Sequence, residues 1–135
     1  MKTFVLEIIT PEKKVFSGEV VSVTVPGSNG EFQVLFNHAP ITSTLEIGRV
    51  KIVVTEGQAP DLYACSGGVV EVHHNKVLIL ANTIEKMESI DLGRAETSLE
   101  RAKKRLAEKG TGQVDVARAE LSVRRAMNRI SIVKR

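Results

Sequence analysis

Between Thr3 and about Asn82 the apolar residues alternate with polar ones or run in short blocks, a period of two that predicts half-buried strands. Val21-Ser22-Val23-Thr24-Val25, Arg49-Val50-Lys51-Ile52-Val53-Val54, Val69-Val70-Glu71-Val72 and Lys76-Val77-Leu78-Ile79-Leu80 are the clearest examples. Pro26-Gly27-Ser28-Asn29-Gly30, Glu56-Gly57-Gln58-Ala59-Pro60 and His74-Asn75 separate them with residues that accept turn geometry. All four prolines (Pro11, Pro26, Pro40, Pro60) fall in this part, which argues against long helices there. After Ser89 the period changes. Leu92, Ala95, Leu99, Ala102 and Leu106 form one helical stripe; Val116, Ala119, Val123, Ala126, Ile130 and Val133 form a second, with Gly110-Thr111-Gly112 between them. The predicted fold is therefore β + α: an N-terminal all-β sandwich over residues 1–86, then a C-terminal antiparallel two-helix hairpin over 87–135. Each stripe alternates alanine with one larger aliphatic, so the helices can approach closely but bury little, and such a hairpin can leave its place at modest cost.

Composition narrows the function. With 135 residues the chain is one ordinary domain or two small ones, and its 42% hydrophobic content suffices for a core. The single Cys65 excludes an internal disulfide framework or a Cys-rich metal site. Glu7 interrupts the apolar start that a signal peptide would need, and no apolar run is long enough to span a bilayer, so direct membrane insertion is not expected. Charge is unevenly spread. Residues 1–88 carry seven basic and ten acidic groups, net −3, whereas residues 89–135 carry twelve and six, net +6. That asymmetry points the C-terminal part toward something anionic.

Arg94 and Arg101 lie seven residues apart on the first predicted helix; Arg118, Arg125 and Arg129 lie at spacings of seven and four on the second. Like charges at these spacings repel, which again suggests an anion, although an arginine face also suits acidic protein surfaces. His73 and His74 are neighbours in a predicted strand, so their side chains should point to opposite faces and not share a metal ion. His38, before Ala39-Pro40, belongs to a structured loop. Cys65 reads as a small buried apolar residue, and Ser66-Gly67-Gly68 as a tight bend between strands rather than a nucleophile loop. Gly30 and Gly48 read as positions that need positive φ or close backbone approach.

Several motifs in order along the whole chain resemble the epsilon subunit of the F-type, proton-translocating ATP synthase. They are Gly30-Glu31-Phe32-Gln33-Val34-Leu35-Phe36-Asn37-His38-Ala39-Pro40, Leu45-Glu46-Ile47-Gly48, Ser66-Gly67-Gly68-Val69-Val70-Glu71-Val72, Ile90-Asp91-Leu92-Gly93-Arg94-Ala95 and Arg124-Arg125-Ala126-Met127-Asn128-Arg129. The resemblance implies a non-catalytic subunit of the central rotor stalk, whose sandwich docks on the gamma subunit and the c-subunit ring. Exposed aliphatics near Phe32–Pro40 would be candidates for the ring contact. It implies a hairpin that extends toward the alpha and beta subunits to block ATP hydrolysis, or folds down against the sandwich. It also implies a peripheral location at the cytoplasmic face of a bacterial plasma membrane. Some bacterial members bind regulatory ATP through an [IL]DxxRA pattern followed by arginines. By that similarity Glu85, Ile90, Asp91 and Ala95 would surround the base, Arg94 would help fix the nucleotide, and Arg101, Arg125 and Arg129 would face the phosphates. No required cofactor and no metal site are implied, and the lack of a Gly-rich phosphate loop means that side chains would do the binding.

Two other classes compete. A sandwich adaptor with a basic hairpin for nucleic acid is disfavoured because all five aromatics (Phe4, Phe16, Phe32, Phe36, Tyr63) lie outside the hairpin, leaving no stacking groups there. A small hydrolase lacks a paired nucleophile and base.

Overall fold

The computed structural model describes residues 2–108 and 115–134. The chain forms two compact units, Met1–Lys86 and Met87–Arg135. The first contains β1 (Phe4–Ile9), β2 (Lys14–Val20), β3 (Ser22–Gly27), β4 (Gly30–Val34), β5 (Ile41–Val53), β6 (Asp61–His73), β7 (Lys76–Ala81) and β8 (Ile84–Lys86). They hydrogen-bond in the order β2-β1-β7-β6-β5-β3-β4, with β8 added to β6. Among the described residues only β1 and β7 pair in parallel.

The sandwich depends on two strands longer than the apolar blocks predict. β5 and β6 have 13 residues each and pair almost throughout. β6 meets β8 through Tyr63–Cys65 and β7 through Gly68–His73, so its two halves serve two layers. The change of partner falls at Ser66-Gly67-Gly68. Gly67 and Gly68 have φ of +108° and +148°, and a Cβ on Gly68 would lie 2.1 Å from the Leu80 carbonyl oxygen. This segment is thus a bend inside one continuous strand, not a bend between strands, because only glycine lets β6 turn while passing so close to β7. Ser66 is committed structurally: its hydroxyl accepts hydrogen bonds from the Thr83 amide (3.0 Å) and the Thr83 hydroxyl (2.6 Å).

Inward residues of the alternating strands form one core, including Phe4, Leu6, Ile8, Val23, Val25, Val50, Ile52, Tyr63, Val70, Val77 and Ile79. Cys65 belongs to it, and burial pushes its thiol above the ordinary range. The turn between β3 and β4 is tighter than its Gly/Pro content suggests, since Pro26 and Gly27 stay in β3 and Gly30, at φ +126°, opens β4. At Gly48 the requirement is close approach: an added Cβ would come within 2.7 Å of the Pro26 side chain.

The second unit starts with a 3₁₀ turn over Met87–Ser89, followed by α1 (Leu92–Ala107) and α2 (Val116–Lys134). Gly110-Thr111-Gly112 lies outside the described residues. Both helices are capped alike. The Asp91 carboxylate accepts from the Arg94 amide and the Asp115 carboxylate from the Arg118 amide, each at 3.0 Å. An aspartate here satisfies a free amide and places negative charge at the positive end of the helix dipole. The buried residues of the helices are Ala95, Ala102, Ala119, Ala126 and Ile132; Ile132 lies off the predicted stripe. Lys134 pairs with Glu96 at 3.8 Å, tying the end of α2 to the start of α1 and fixing an antiparallel arrangement.

Candidate functional site

Of the eight residues that the resemblance assigns to nucleotide, Glu85 lies in β8 of the first unit and is half-buried. The other seven belong to the helical unit. Ile90 is buried immediately before the cap, and Asp91 uses its carboxylate as that cap. Arg94, Arg101 and Arg125 are exposed. Ala95 is fully buried in the α1 stripe, so its methyl serves helix packing. Arg129 is half-buried, with its Nε shielded from solvent.

The Glu96–Lys134 pair sets the level of the remaining groups. Helices rise about 1.5 Å per residue, so five residues inward from Glu96 and five back from Lys134 bring Arg101 and Arg129 to one height; Arg125 is one turn farther along. Seen along their helices, Arg101 and Arg125 each stand one residue before a buried alanine, Ala102 and Ala126. They therefore flank the helix seam. Among the described residues, Arg94, Arg101 and Arg125 form no ion pair. The arrangement gathers guanidinium forks that suit phosphate oxygens or carboxylates.

One end of the sandwich is also distinctive. Asn37 (φ +63°), His74 (φ +47°) and Asn75 (φ +57°) are the non-glycine residues with positive φ among those described. Asn75 Oδ1 accepts from the Asn37 amide at 2.6 Å, and Asn75 Nδ2 donates to Asn37 Oδ1 at 3.0 Å, joining the β4–β5 loop to the β6–β7 turn. His73 and His74 correct the sequence reading. His74 is in the turn, not the strand, and its left-handed backbone brings the two rings to 3.8 Å between centroids instead of sending them to opposite faces. They still belong to no metal-binding group of three or more among the described residues. His38 is half-buried in the loop, with Nδ1 2.6 Å from the Ala39 carbonyl oxygen. Beside it Leu35 is 50% exposed and Ile41 is 37% exposed, which identifies the aliphatics that the sequence left open.

A β-sandwich followed by a capped helical pair defines a small two-unit class, and sequence comparison gives its family. The profile "ATP synthase, Delta/Epsilon chain, beta-sandwich domain" matches residues 3–87, and "ATP synthase, Delta/Epsilon chain, long alpha-helix domain" matches residues 88–134. The chain belongs to the ATP synthase delta/epsilon family, and its relatives there are epsilon chains. It is 47% identical over 108 residues to the ATP synthase epsilon chain of Pelotomaculum thermopropionicum, covering 80% of this chain and 79% of that one. It is 47% identical over 107 residues to the epsilon chain of Desulfitobacterium hafniense strain Y51, covering 79% and 80%. A chain in the cryo-EM structure of Euglena gracilis mitochondrial ATP synthase, OSCP/F1/c-ring, shares the fold with a TM-score of 0.74 and 23% identity, covering 90% of this chain and 76% of that one. The nucleic-acid alternative gains no support from these relatives.

Proposed function

We propose that this chain is the epsilon subunit of the central rotor stalk of an F-type ATP synthase, a non-catalytic subunit that regulates the complex. The observation that carries the reading is the family match running through both units, from residue 3 to residue 134. The sandwich docks on gamma and the c ring, with Leu35 and Ile41 offered to the ring. The helical unit inhibits hydrolysis when it reaches the alpha and beta subunits, and binds ATP when folded down. The complex holds the subunit at the cytoplasmic face of a bacterial plasma membrane; no helix among the described residues is long and apolar enough to cross a membrane.

The energetics of the helical unit favour a regulatory element. Four of its five buried helix positions are alanines, each of which buries a single methyl where a leucine or isoleucine would bury a whole side chain. A differential interaction of a few kcal/mol with a ligand or partner is enough to shift such an element between two states. Its arginines supply that interaction in either state. Titrating the chain with ATP, with and without magnesium, followed by NMR, tests the ligand. Saturable shifts at Arg101, Arg125 and Arg129, weakened by Arg125→Ala or Arg129→Ala, are expected. No shift up to millimolar ATP removes nucleotide sensing and leaves these arginines to the catalytic subunits.

A further inference from the structure

The equivalent caps expose an internal repeat. Residues 91–106 and 115–130 align at an offset of 24 with eight of sixteen positions identical: Asp91/Asp115, Arg94/Arg118, Ala95/Ala119, Glu96/Glu120, Ser98/Ser122, Arg101/Arg125, Ala102/Ala126 and Arg105/Arg129. Leu92/Val116, Leu99/Val123 and Leu106/Ile130 conserve apolar character. The caps match at 3.0 Å, and the same alanines are buried in both copies. Two like helices that pack antiparallel through like stripes are related by an approximate two-fold axis perpendicular to the plane of the pair. Ala102 and Ala126 lie within about one turn of the same level, counted from the Glu96–Lys134 pair, so the axis passes near them.

Such an axis keeps one broad face on the same side. Arg94, Arg101, Arg118 and Arg125 each precede a buried alanine by one residue. Arg105 and Arg129 follow one by three, which at about 100° per residue reaches the same flank. Six arginines therefore share this face. Counted from the Glu96–Lys134 pair, Arg101 is level with Arg129 and Arg105 with Arg125, one turn apart about the axis, with Arg94 beyond them toward the start of α1 and Arg118 toward the start of α2. Arg105 and Arg118 are exposed and, among the described residues, form no ion pair.

We infer that the hairpin carries a second polyphosphate-binding half-site, built from Arg105 and Arg118 with Arg101 and Arg125 shared, as the two-fold counterpart of the half-site around Arg94 and Arg129. The inference rests on the reading that Arg101, Arg125 and Arg129 meet phosphates. The two-fold exchanges Arg101 with Arg125, and Arg129 with Arg105, so phosphate-binding geometry on one side is reproduced on the other. The ligand is recognised as an oligophosphate anion, because the groups that the repeat places on this face are guanidinium forks. Sharing two arginines makes the half-sites compete, so one bound anion weakens the next.

The test is titration of the full chain with inorganic tripolyphosphate, read by the arginine Nε–Hε resonances. The expected result is saturable binding to the wild type, and binding retained in Arg94→Gln/Arg129→Gln with shifts at Arg105 and Arg118. Adding Arg105→Gln and Arg118→Gln should weaken that remaining binding by tenfold or more, since each charge-assisted bond removed costs roughly tenfold. Lys103→Gln/Lys104→Gln, which removes equal charge, should leave it in place. Loss of all binding in Arg94→Gln/Arg129→Gln, with a binding wild type, overturns the second half-site and spares the first. Equal weakening by the lysine pair overturns it as mere charge attraction. No binding to the wild type overturns both readings.

Discussion

Replacing Asp91 separates two roles that one side chain has been given. The resemblance puts it beside a nucleotide base; the structure puts its carboxylate on the Arg94 amide at 3.0 Å, as the N-cap of α1. Removing a capping aspartate costs about 1 kcal/mol. Asp115 caps α2 in the same geometry and has no place in the nucleotide motif, so Asp115→Ala is the matched control. Each alanine variant should lose about 1 kcal/mol of helical stability, which multiplies the open population roughly fivefold. Asp91→Ser restores a capping oxygen and should recover all but a few tenths. The assay is amide hydrogen exchange in the first turns of α1 and α2, with ATP affinity measured on the same variants. Unchanged exchange in Asp91→Ala refutes the capping argument. If Asp91→Ser recovers stability but not ATP affinity, the carboxylate also touches the ligand; if it recovers both, capping accounts for the motif aspartate.

Two further predictions concern the sandwich. Gly68→Ala should prevent a stable β-sandwich or lower its melting temperature sharply, because its Cβ would meet the Leu80 backbone at 2.1 Å; a thermal melt that matches the wild type contradicts the account of the bend in β6. Glu7 is held below its ordinary value of 4.5 by the hydrogen bond and charge of Lys14 at 2.9 Å, with a smaller effect from Lys76 at 3.7 Å. A lowered carboxyl pKa contributes stability that is present above 4.5 and lost as pH falls through the lowered folded value. Glu7→Gln should therefore flatten the acid side of the stability–pH curve without changing its shape near neutrality; an unchanged acid limb contradicts the pairing.

The helical stripes were legible because a single helix face collects its apolar residues at fixed spacing, and Ala95, Ala102, Ala119 and Ala126 are all buried. Ile132 was missed because its burial does not follow that spacing. Strand positions were legible, but strand lengths were not. β5 and β6 continue through Thr42, Thr44 and Ser66, polar residues that read as interruptions but retain ladder pairing between the two strands. β8 is three residues long, too short for a period to register. His73 and His74 were misread because the facing rule of a strand was applied to His74, which the turn signal His74-Asn75 already placed outside it, and its left-handed backbone reverses that rule. For the candidate site, the sequence supplied the residue types and helix faces. It did not supply the division of labour, in which Asp91 is a cap and Ala95 a packing residue. Asp115 went unassigned because a cap gains meaning only once the helix start is known.

The central claim is regulation by the helical unit of a rotor-stalk subunit, and it is tested most directly in an assembly of alpha, beta and gamma subunits. ATP hydrolysis should be measured while the full chain, or the chain ending at Lys86, is titrated in. The shorter chain retains the complete sandwich core. The account predicts that the full chain lowers the hydrolysis rate to a saturating limit and that the shorter chain leaves it unchanged while still competing for the same place. Equal inhibition by both chains, or no inhibition by either, would contradict it.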